Sequence, residues 1–229
     1  MHRYVARELE ALSHDLSEMA TAAEAAVGRA VQSLLERDLE LAEDVLRGDV
    51  MIDRLEVAIE ERCLRVLALY QPEAGDLRLI AMALKLNTDL ERIGDQAVNI
   101  AERSIELLKE PGLETPQPLA ELARMALAMF RASIDAFSAR DTGMARAICL
   151  RDDAVDDMDD RIVRDLVDRM LVDRRWISRA VQLILVSRHL ERVADHATNI
   201  AEDVIYLVEG RTIKHHLAAS GAAPPEPAS

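Results

Sequence analysis

Apolar residues return along the chain at the spacing of long amphipathic helices. In residues 5–36, leucine, methionine and alanine recur every three or four positions, which is the period of one face of an α-helix. Asp38 and Asp76 are expected to cap the second and third helices, and Gly210 is expected to end the last one. The pattern predicts an all-α chain with six long helices, over residues 5–36, 38–70, 77–109, 118–139, 141–173 and 176–209.

The chain also carries the same pattern twice. Residues 88–102 read TDLERIGDQAVNIAE and residues 188–202 read RHLERVADHATNIAE, with nine of fifteen positions identical. Further upstream, matching positions lie 103 residues apart instead of 100, so that Arg37-Asp38 matches Arg140-Asp141 and Ile52 matches Val155. Such repetition indicates two copies of one supersecondary unit, here two repeated three-helix bundles. Whether the bundles stack end to end or side by side is left open.

Breaks in the pattern suggest how the chain is divided. Of the seven prolines, six lie in residues 111–118 or in the last six positions, where proline ends helices. We expect the first three-helix unit over residues 5–110 and the second over 118–210. Residues 111–117 are the expected linker between them, and residues 211–229 are expected to form a disordered tail.

Composition and charge restrict the class of protein. The formal charge of −14 is the wrong sign for a protein that binds nucleic-acid phosphates. No run of about 20 uncharged apolar residues is present, so no membrane span is expected. The first eight residues lack an apolar signal core, and Cys63 and Cys149 lie in apolar helical patterns, which favours a cytoplasmic protein with reduced core thiols.

The candidate chemistry lies in stripes of carboxylates that are repeated in both units. Acids three or four residues apart share one face of a helix. Exposed like charges at this spacing cost roughly 0.2–0.5 kcal/mol per pair, and neighbouring apolar surface raises that cost. A bound cation would remove it, so we expect metal ligands among Asp49, Asp53, Glu56, Glu91, Asp95 and Glu102 in the first unit, and Asp152, Asp156, Asp159, Glu191, Asp195 and Glu202 in the second.

Clustered carboxylate oxygens suit Mg²⁺, Ca²⁺, Mn²⁺ or iron, and six acids in each unit leave room for more than one ion. An ordinary solvated acidic face is the alternative interpretation. A ferritin-type di-iron site needs Glu-x-x-His pairs, but Gly94 and Ala194 stand where those histidines would be. His196 is expected to have a structural role or to lie behind the ligands, and Trp176 is expected to anchor a turn.

Several functions remain open from the residues alone. No glycine-rich phosphate loop or nucleophile elbow occurs in the sequence, so we do not expect an enzyme. A metal-dependent, carboxylate-bridged enzyme and a metal-free helical adaptor are the alternatives to a metal-binding regulator.

Three segments resemble the PhoU family. They are Asp49-Val-Met-Ile-Asp53-Arg-Leu-Glu56, the turn Gln71-Pro-Glu-Ala-Gly-Asp76-Leu-Arg78-Leu, and the doubled Leu-Glu-Arg-[Ile/Val]-[Gly/Ala]-Asp. The resemblance covers about residues 5–210. It implies two three-helix bundles, a homodimer, and multinuclear clusters of iron, zinc or another metal on the acid–x–x–x–acid motifs.

The resemblance also implies a function. PhoU proteins are negative regulators of phosphate uptake and phosphate-starvation signalling, which contact the ATPase of a phosphate ABC transporter and a sensor histidine kinase. Membrane association is then expected only through such partners. The central ligands would be Glu91, Asp95, Glu191 and Asp195. Because the second unit has Ala194 in place of Gly94, the extra methyl group is expected to tighten its site and make metal occupancy unequal.

Overall fold

The computed structural model describes residues 2–70, 72–110 and 116–210, and these ranges are helical apart from short turns. A 3-10 turn, Arg174–Trp176, precedes the last helix. The helices are α1 (His2–Glu36), α2 (Leu39–Tyr70), α3 (Ala74–Leu108), α4 (Gln117–Ala139), α5 (Thr142–Cys149), α6 (Asp152–Val172) and α7 (Ile177–Glu209). Most of the predicted linker, at residues 111–115, and the predicted disordered tail at residues 211–229 lie outside the described residues.

The all-α class with two repeated three-helix bundles is confirmed. Helices α1, α2 and α3 pack against one another, and α4 packs with α7 and with the arm formed by α5 and α6. Leucine, isoleucine, valine and alanine side chains fill the interior along one face of each helix, as their spacing predicts. None of the described helices has a stretch long and apolar enough to cross a bilayer.

The two bundles lie side by side, joined mainly along α3 and α7. Polar contacts pair the beginning of each of these helices with the end of the other. Lys85 Nζ lies 3.0 Å from Asp203, and Arg103 donates a hydrogen bond of 3.4 Å to Gln182. Between them, Gln96 Oε1 lies 2.9 Å from His189 Nδ1. The helices are therefore antiparallel, and the acid-bearing third helix of each unit is central to the molecule.

The matched Arg-Asp pairs form matching turns. Arg37 and Arg140 both adopt left-handed backbone conformations, with φ of 57° and 52°. Asp38 Oδ1 then accepts a hydrogen bond of 3.0 Å from the Leu41 amide, which confirms the predicted cap, and Asp141 caps α5 in the same way. Gly210, with φ of 68°, ends α7 as predicted. This part of the repeat therefore serves folding, since a capped start stabilises a helix by about 1 kcal/mol.

Two predicted boundaries are wrong. Helix α3 begins at Ala74 after an extended Glu73, so Asp76 lies within the first turn and does not cap it. Asp76 is favourable in that first turn, because its negative charge lies near the positive end of the helix dipole.

The fifth predicted helix, residues 141–173, is divided at Leu150 and Arg151. There the Arg151 amide donates a hydrogen bond of 2.8 Å to the carbonyl of Ile148, three residues earlier in the chain. The new helix α6 begins with Asp152 and Asp153. Carboxylates stabilise a helix at its N-terminus, which accounts for a restart at this position.

Candidate metal centre

In the first unit, the acidic stripes of α2 and α3 face each other because the helices come close together at Gly94. A Cβ atom added there would lie 3.0 Å from Ile52 Cδ1 and 3.7 Å from Asp49 Oδ1. The absence of a side chain at position 94 thus permits the approach. It brings the α2 acids Asp49 and Asp53 next to the α3 acids Glu91 and Asp95.

These first-unit carboxylates repel one another. Burial raises the pKa of Asp49, and the charges of Asp53 and Asp95 raise it further. Burial also raises the pKa of Glu91, together with the charges of Asp95, Glu56 and Asp53. The five predicted ligands from Asp49 to Asp95 therefore share one electrostatic environment.

Arg92 supplies some positive charge to the first unit. Its guanidinium lies 3.4 Å from Glu91 and 3.2 Å from Asp95. The arginine side chain is more than half exposed, so solvent weakens both ion pairs. The repulsion within the cluster is therefore only partly relieved by the protein itself.

The second unit contains a tighter group, formed by Asp156 on α6 and by Glu191 and Asp195 on α7. One carboxylate oxygen from each residue lies within 4.8 Å of the other two. Burial raises the pKa of Glu191 to about 7, and the charges of Asp195, Asp159 and Asp156 contribute to this shift. The pKa values of Asp156 and Asp195 are raised too, chiefly by partial desolvation, although both residues remain exposed to solvent and only Glu191 is half-buried.

Asp152 lies beside this group and raises the pKa of Asp195. Its own pKa is raised by burial, although a hydrogen bond of 3.0 Å from Thr198 opposes the shift. Three converging carboxylate oxygens, with a fourth acid nearby, form a donor set that fits a hard cation with metal–oxygen distances of about 2.0–2.6 Å. The residues present therefore suit Mg²⁺, Ca²⁺, Mn²⁺ or iron better than a metal that prefers sulfur.

The other predicted ligands have different surroundings. Asp159 is fully buried, accepts a hydrogen bond of 2.6 Å from Ser187, and pairs with Arg188 at 2.5 Å. Its carboxylate thus has a cation from the protein itself. Glu102 is exposed and lies 3.0 Å from Arg103. Burial raises the pKa of the Cys149 thiol to about 11, and the charge of Glu202 nearby adds to that shift.

Sequence reasoning did not identify the residues that accompany the acids, namely Arg92, Arg188, Ser187 and Thr198. Nothing in one helix shows which arginine turns toward its neighbours, because the choice depends on the facing helix.

The repeat also shows a difference between the two units beside their acidic groups. Where the first unit has Ile52 and Gly94, the second has Val155 and Ala194, so a methyl group gained on one helix is matched by one lost on the other. The unequal metal occupancy expected from Ala194 stays a prediction.

His196 contacts the other unit, as its Nδ1 atom lies 2.8 Å from Asp89. Position 89 corresponds to 189 and position 96 to 196 in the repeat, so the Asp89–His196 and Gln96–His189 pairs are related by the pseudo-symmetry of the two bundles. Both histidines therefore hold the bundles together next to the acidic groups. This agrees with the structural role expected for His196.

The model of the PhoU domain matches residues 16–104 and again 119–204. The chain belongs to the PhoU family. The two matches contain both acidic groups, one within each repeat of the PhoU domain.

Relatives support the same assignment along most of the chain. A phosphate-specific transport system accessory protein PhoU homolog from Aquifex aeolicus is 44% identical over 216 residues, which are 94% of this chain and 98% of the relative. The crystal structure of PhoU from Pseudomonas aeruginosa has a TM-score of 0.85 at 40% identity, covering 90% of this chain and 99% of that one.

A second solved structure, of the phosphate transport system regulatory protein PhoU from Streptococcus pneumoniae, also has a TM-score of 0.85. It is 27% identical, and the match covers 91% of this chain and 98% of that one. The two-bundle PhoU fold is thus kept at a lower level of identity.

Proposed function

We propose that this chain is a metal-binding negative regulator of phosphate uptake and phosphate-starvation signalling. Membership of the PhoU family supports the phosphate system, since the relatives carry names of accessory and regulatory proteins of phosphate transport. The observation that carries metal binding is the convergence of Asp156, Glu191 and Asp195 to within 4.8 Å. Carboxylates held this close repel one another, and binding a cation removes that repulsion.

Asp156, Glu191 and Asp195 would hold the ion in the second unit, with Asp152 beside them. In the first unit Asp49, Asp53, Glu91 and Asp95 would do so, with Glu56 close by. A bound ion would supply positive charge and join the two helices of each site. The protein's own part is to hold these oxygens in place, with Thr198 orienting Asp152 through its hydroxyl group.

The regulator would act through protein contacts in the cytoplasm, as a homodimer. Its partners would be the ATPase subunit of a phosphate ABC transporter and a sensor histidine kinase. A regulator of this kind shifts its partners between states by binding one state more tightly. The negative charge around the metal sites, and its change on metal binding, would alter the fit to those partners.

A genetic experiment tests the regulatory role. Deleting the gene is expected to switch on phosphate-starvation genes in phosphate-rich medium, measured with an alkaline phosphatase reporter. Normal repression in the deletion strain would contradict the proposal. Complementation with the intact gene should restore repression and serves as the control.

A second experiment tests the metal sites. Elemental analysis is expected to find metal in the protein as purified, and much less after Glu91→Ala and Glu191→Ala are combined. Asp157→Ala is the matched control, because Asp157 is exposed and has no acidic counterpart in the first unit. Negligible metal in the unaltered protein would favour a metal-free adaptor, and turnover of a phosphoester by the metal-loaded protein would favour an enzyme.

A further inference from the structure

Two large apolar side chains project from the turn between α6 and α7. Leu171 is 79% exposed and Val172 is 89% exposed, more than any other large apolar residue that the structure describes. Val167, Ile177 and Val181 are also exposed around them. We name residues 167–181 the α6–α7 tip. Apolar side chains exposed together in this way are a feature of interaction surfaces.

The α6–α7 tip is also basic. It contains four arginines and two aspartates, a net charge of +2 in a chain whose total is −14, and three of the arginines are exposed while Arg179 is buried. Arg174 and Arg175 are exposed beside Leu171 and Val172, and Asp173 pairs with Arg175 at 2.8 Å. The tip is therefore a local exception to the acidic character of the molecule.

Trp176 gives the tip a defined shape. The guanidinium carbon of Arg169 lies 5.0 Å from the centre of its ring, and that of Arg179 lies 5.7 Å away. Such cation–π contacts stabilise by about 0.5–1 kcal/mol or more each. Trp176 thus anchors the turn, as its position in the sequence predicts, through Arg169 and the buried Arg179.

The equivalent turn of the first unit has the apolar residues without the excess basic charge. In this α2–α3 tip, residues 64–78, Leu69 and Leu77 are exposed at the positions that match Val172 and Ile177. Two arginines are balanced there by Glu73 and Asp76. Because α3 and α7 are antiparallel, the two tips lie at opposite ends of the molecule, and the α2–α3 tip is a natural control for the other.

We propose that the α6–α7 tip docks on an anionic lipid surface. Leu171 and Val172 would enter the interfacial layer, while Arg174 and Arg175 would contact lipid phosphates. Aliphatic side chains framed by basic residues bind such surfaces through buried apolar area and electrostatic attraction together. This inference is independent of the proposed regulatory function, and it adds a direct contact to the membrane association expected through partners alone.

The shape of the tip favours lipid over a protein partner. The end of a two-helix hairpin has a footprint of about 200 Å², given helices about 10 Å across. A stable protein interface needs about 800 Å² per partner. A bilayer adapts to a small surface of this kind, and salt with a Debye length of about 8 Å weakens the repulsion between the lipid and the acidic residues of the rest of the molecule.

Trp176 provides the measurement, because it is the one tryptophan in the chain and lies in the tip itself. The full-length protein is mixed with vesicles of phosphatidylcholine alone, or of phosphatidylcholine and phosphatidylglycerol, and co-sedimentation and tryptophan emission are recorded. We expect binding to the anionic vesicles only, weakened by salt. Brominated lipid in those vesicles is expected to quench Trp176 fluorescence.

Three variants, each altered at exposed residues, test which part of the protein contacts the lipid. Leu171→Ser combined with Val172→Ser is expected to weaken anionic vesicle binding about tenfold or more, since each buried aliphatic side chain contributes strongly. Arg174→Glu is expected to weaken it severalfold and to reduce its salt dependence. Leu69→Ser combined with Leu77→Ser, the control in the α2–α3 tip, should leave binding unchanged. Circular dichroism checks that each variant remains helical.

Three results would overturn the proposal. They are a failure of the unaltered protein to bind anionic vesicles, sedimentation with those vesicles without quenching of Trp176, and equal loss of binding in the control variant. Binding of an acidic amphipathic peptide without vesicle binding would overturn it as well and assign the tip to a protein partner. None of these measurements depends on the regulatory phenotype.

Discussion

Gly94 packs directly against Ile52, so closely that a Cβ atom at position 94 would lie 3.0 Å from the isoleucine Cδ1 atom. This contact sets the separation of α2 and α3 beside the first acidic group. The second unit has Ala194 and Val155 at these positions, and both are fully buried. The second unit thus has a larger residue at the position of Gly94 and a smaller one at the position of Ile52.

This exchange predicts coupling between two substitutions. Gly94→Ala gains about 1 kcal/mol of helix propensity but crowds Ile52, which costs about 1–3 kcal/mol. Ile52→Val alone should cost about 0.5–1.5 kcal/mol. The double variant is expected to be about 1 kcal/mol more stable than the sum of the two single changes in unfolding free energy. Urea unfolding in a double-mutant cycle measures this difference. Additive free energies would show that the close contact carries no strain.

Arg188 is predicted to be essential for stability because it compensates the buried charge of Asp159. Arg188→Ala would leave that carboxylate without its cation, and removing one partner of a buried ion pair costs about 3–5 kcal/mol. Half of the Arg188 side chain is exposed, so the lower end of this range is expected in chemical denaturation.

The companion variant separates charge from packing. Adding Asp159→Asn to Arg188→Ala removes the unpaired charge, and it should recover most of the lost free energy. Arg164→Ala, which alters an exposed arginine on α6, should have an effect below about 0.5 kcal/mol. If the double variant is no more stable than Arg188→Ala, the Asp159 charge is not the cause of the loss.

The acidic group of the second unit predicts opposite effects with and without metal. In the presence of a chelator, Glu191→Gln is expected to raise the melting temperature, because it removes repulsion from Asp156 and Asp195. Added Mn²⁺ should stabilise the unaltered protein by mass action and stabilise this variant much less. Asp157→Asn is the control and should respond to Mn²⁺ as the unaltered protein does. If Glu191→Gln responds to Mn²⁺ in the same way, Glu191 does not bind the metal.

The buried thiol of Cys63 leads us to expect that the protein loses stability at alkaline pH. Burial raises the pKa of its thiol from 9.0 to about 11, so the folded protein keeps a proton that the unfolded chain releases above pH 9. The contribution of this thiol to the free energy of unfolding is fully present below pH 9. It is lost as the pH rises to about 11, and the loss is about 3 kcal/mol.

Comparison with Cys63→Ala isolates this contribution from other groups that titrate in alkali. The variant is less stable at neutral pH because of the cavity, but the difference in unfolding free energy between it and the unaltered protein should shrink from pH 8.5 to 11. A difference that stays constant would show that Cys63 ionises equally in both states.

The sequence alone determined the local and repeated features of this protein. Helical periodicity, the Asp38 cap and the Gly210 stop depend on residues within one or two turns, and the structure confirms them. The duplication also placed the acids at matching positions of both units. Local patterns could not locate the division at Leu150, because the buried positions Ile148, Val155 and Ile162 keep a helical spacing across it.

Only the tertiary structure decided how the two units meet and which charges are paired. Gln96 and His189 are 93 positions apart, and no periodicity within one helix indicates their contact. The burial of Asp159 against Arg188, the part played by Arg92, and the basic α6–α7 tip likewise depend on facing helices or turns. Patterns along the chain report on local structure and on one buried face, whereas the pairing of polar groups is set by packing between segments distant in sequence.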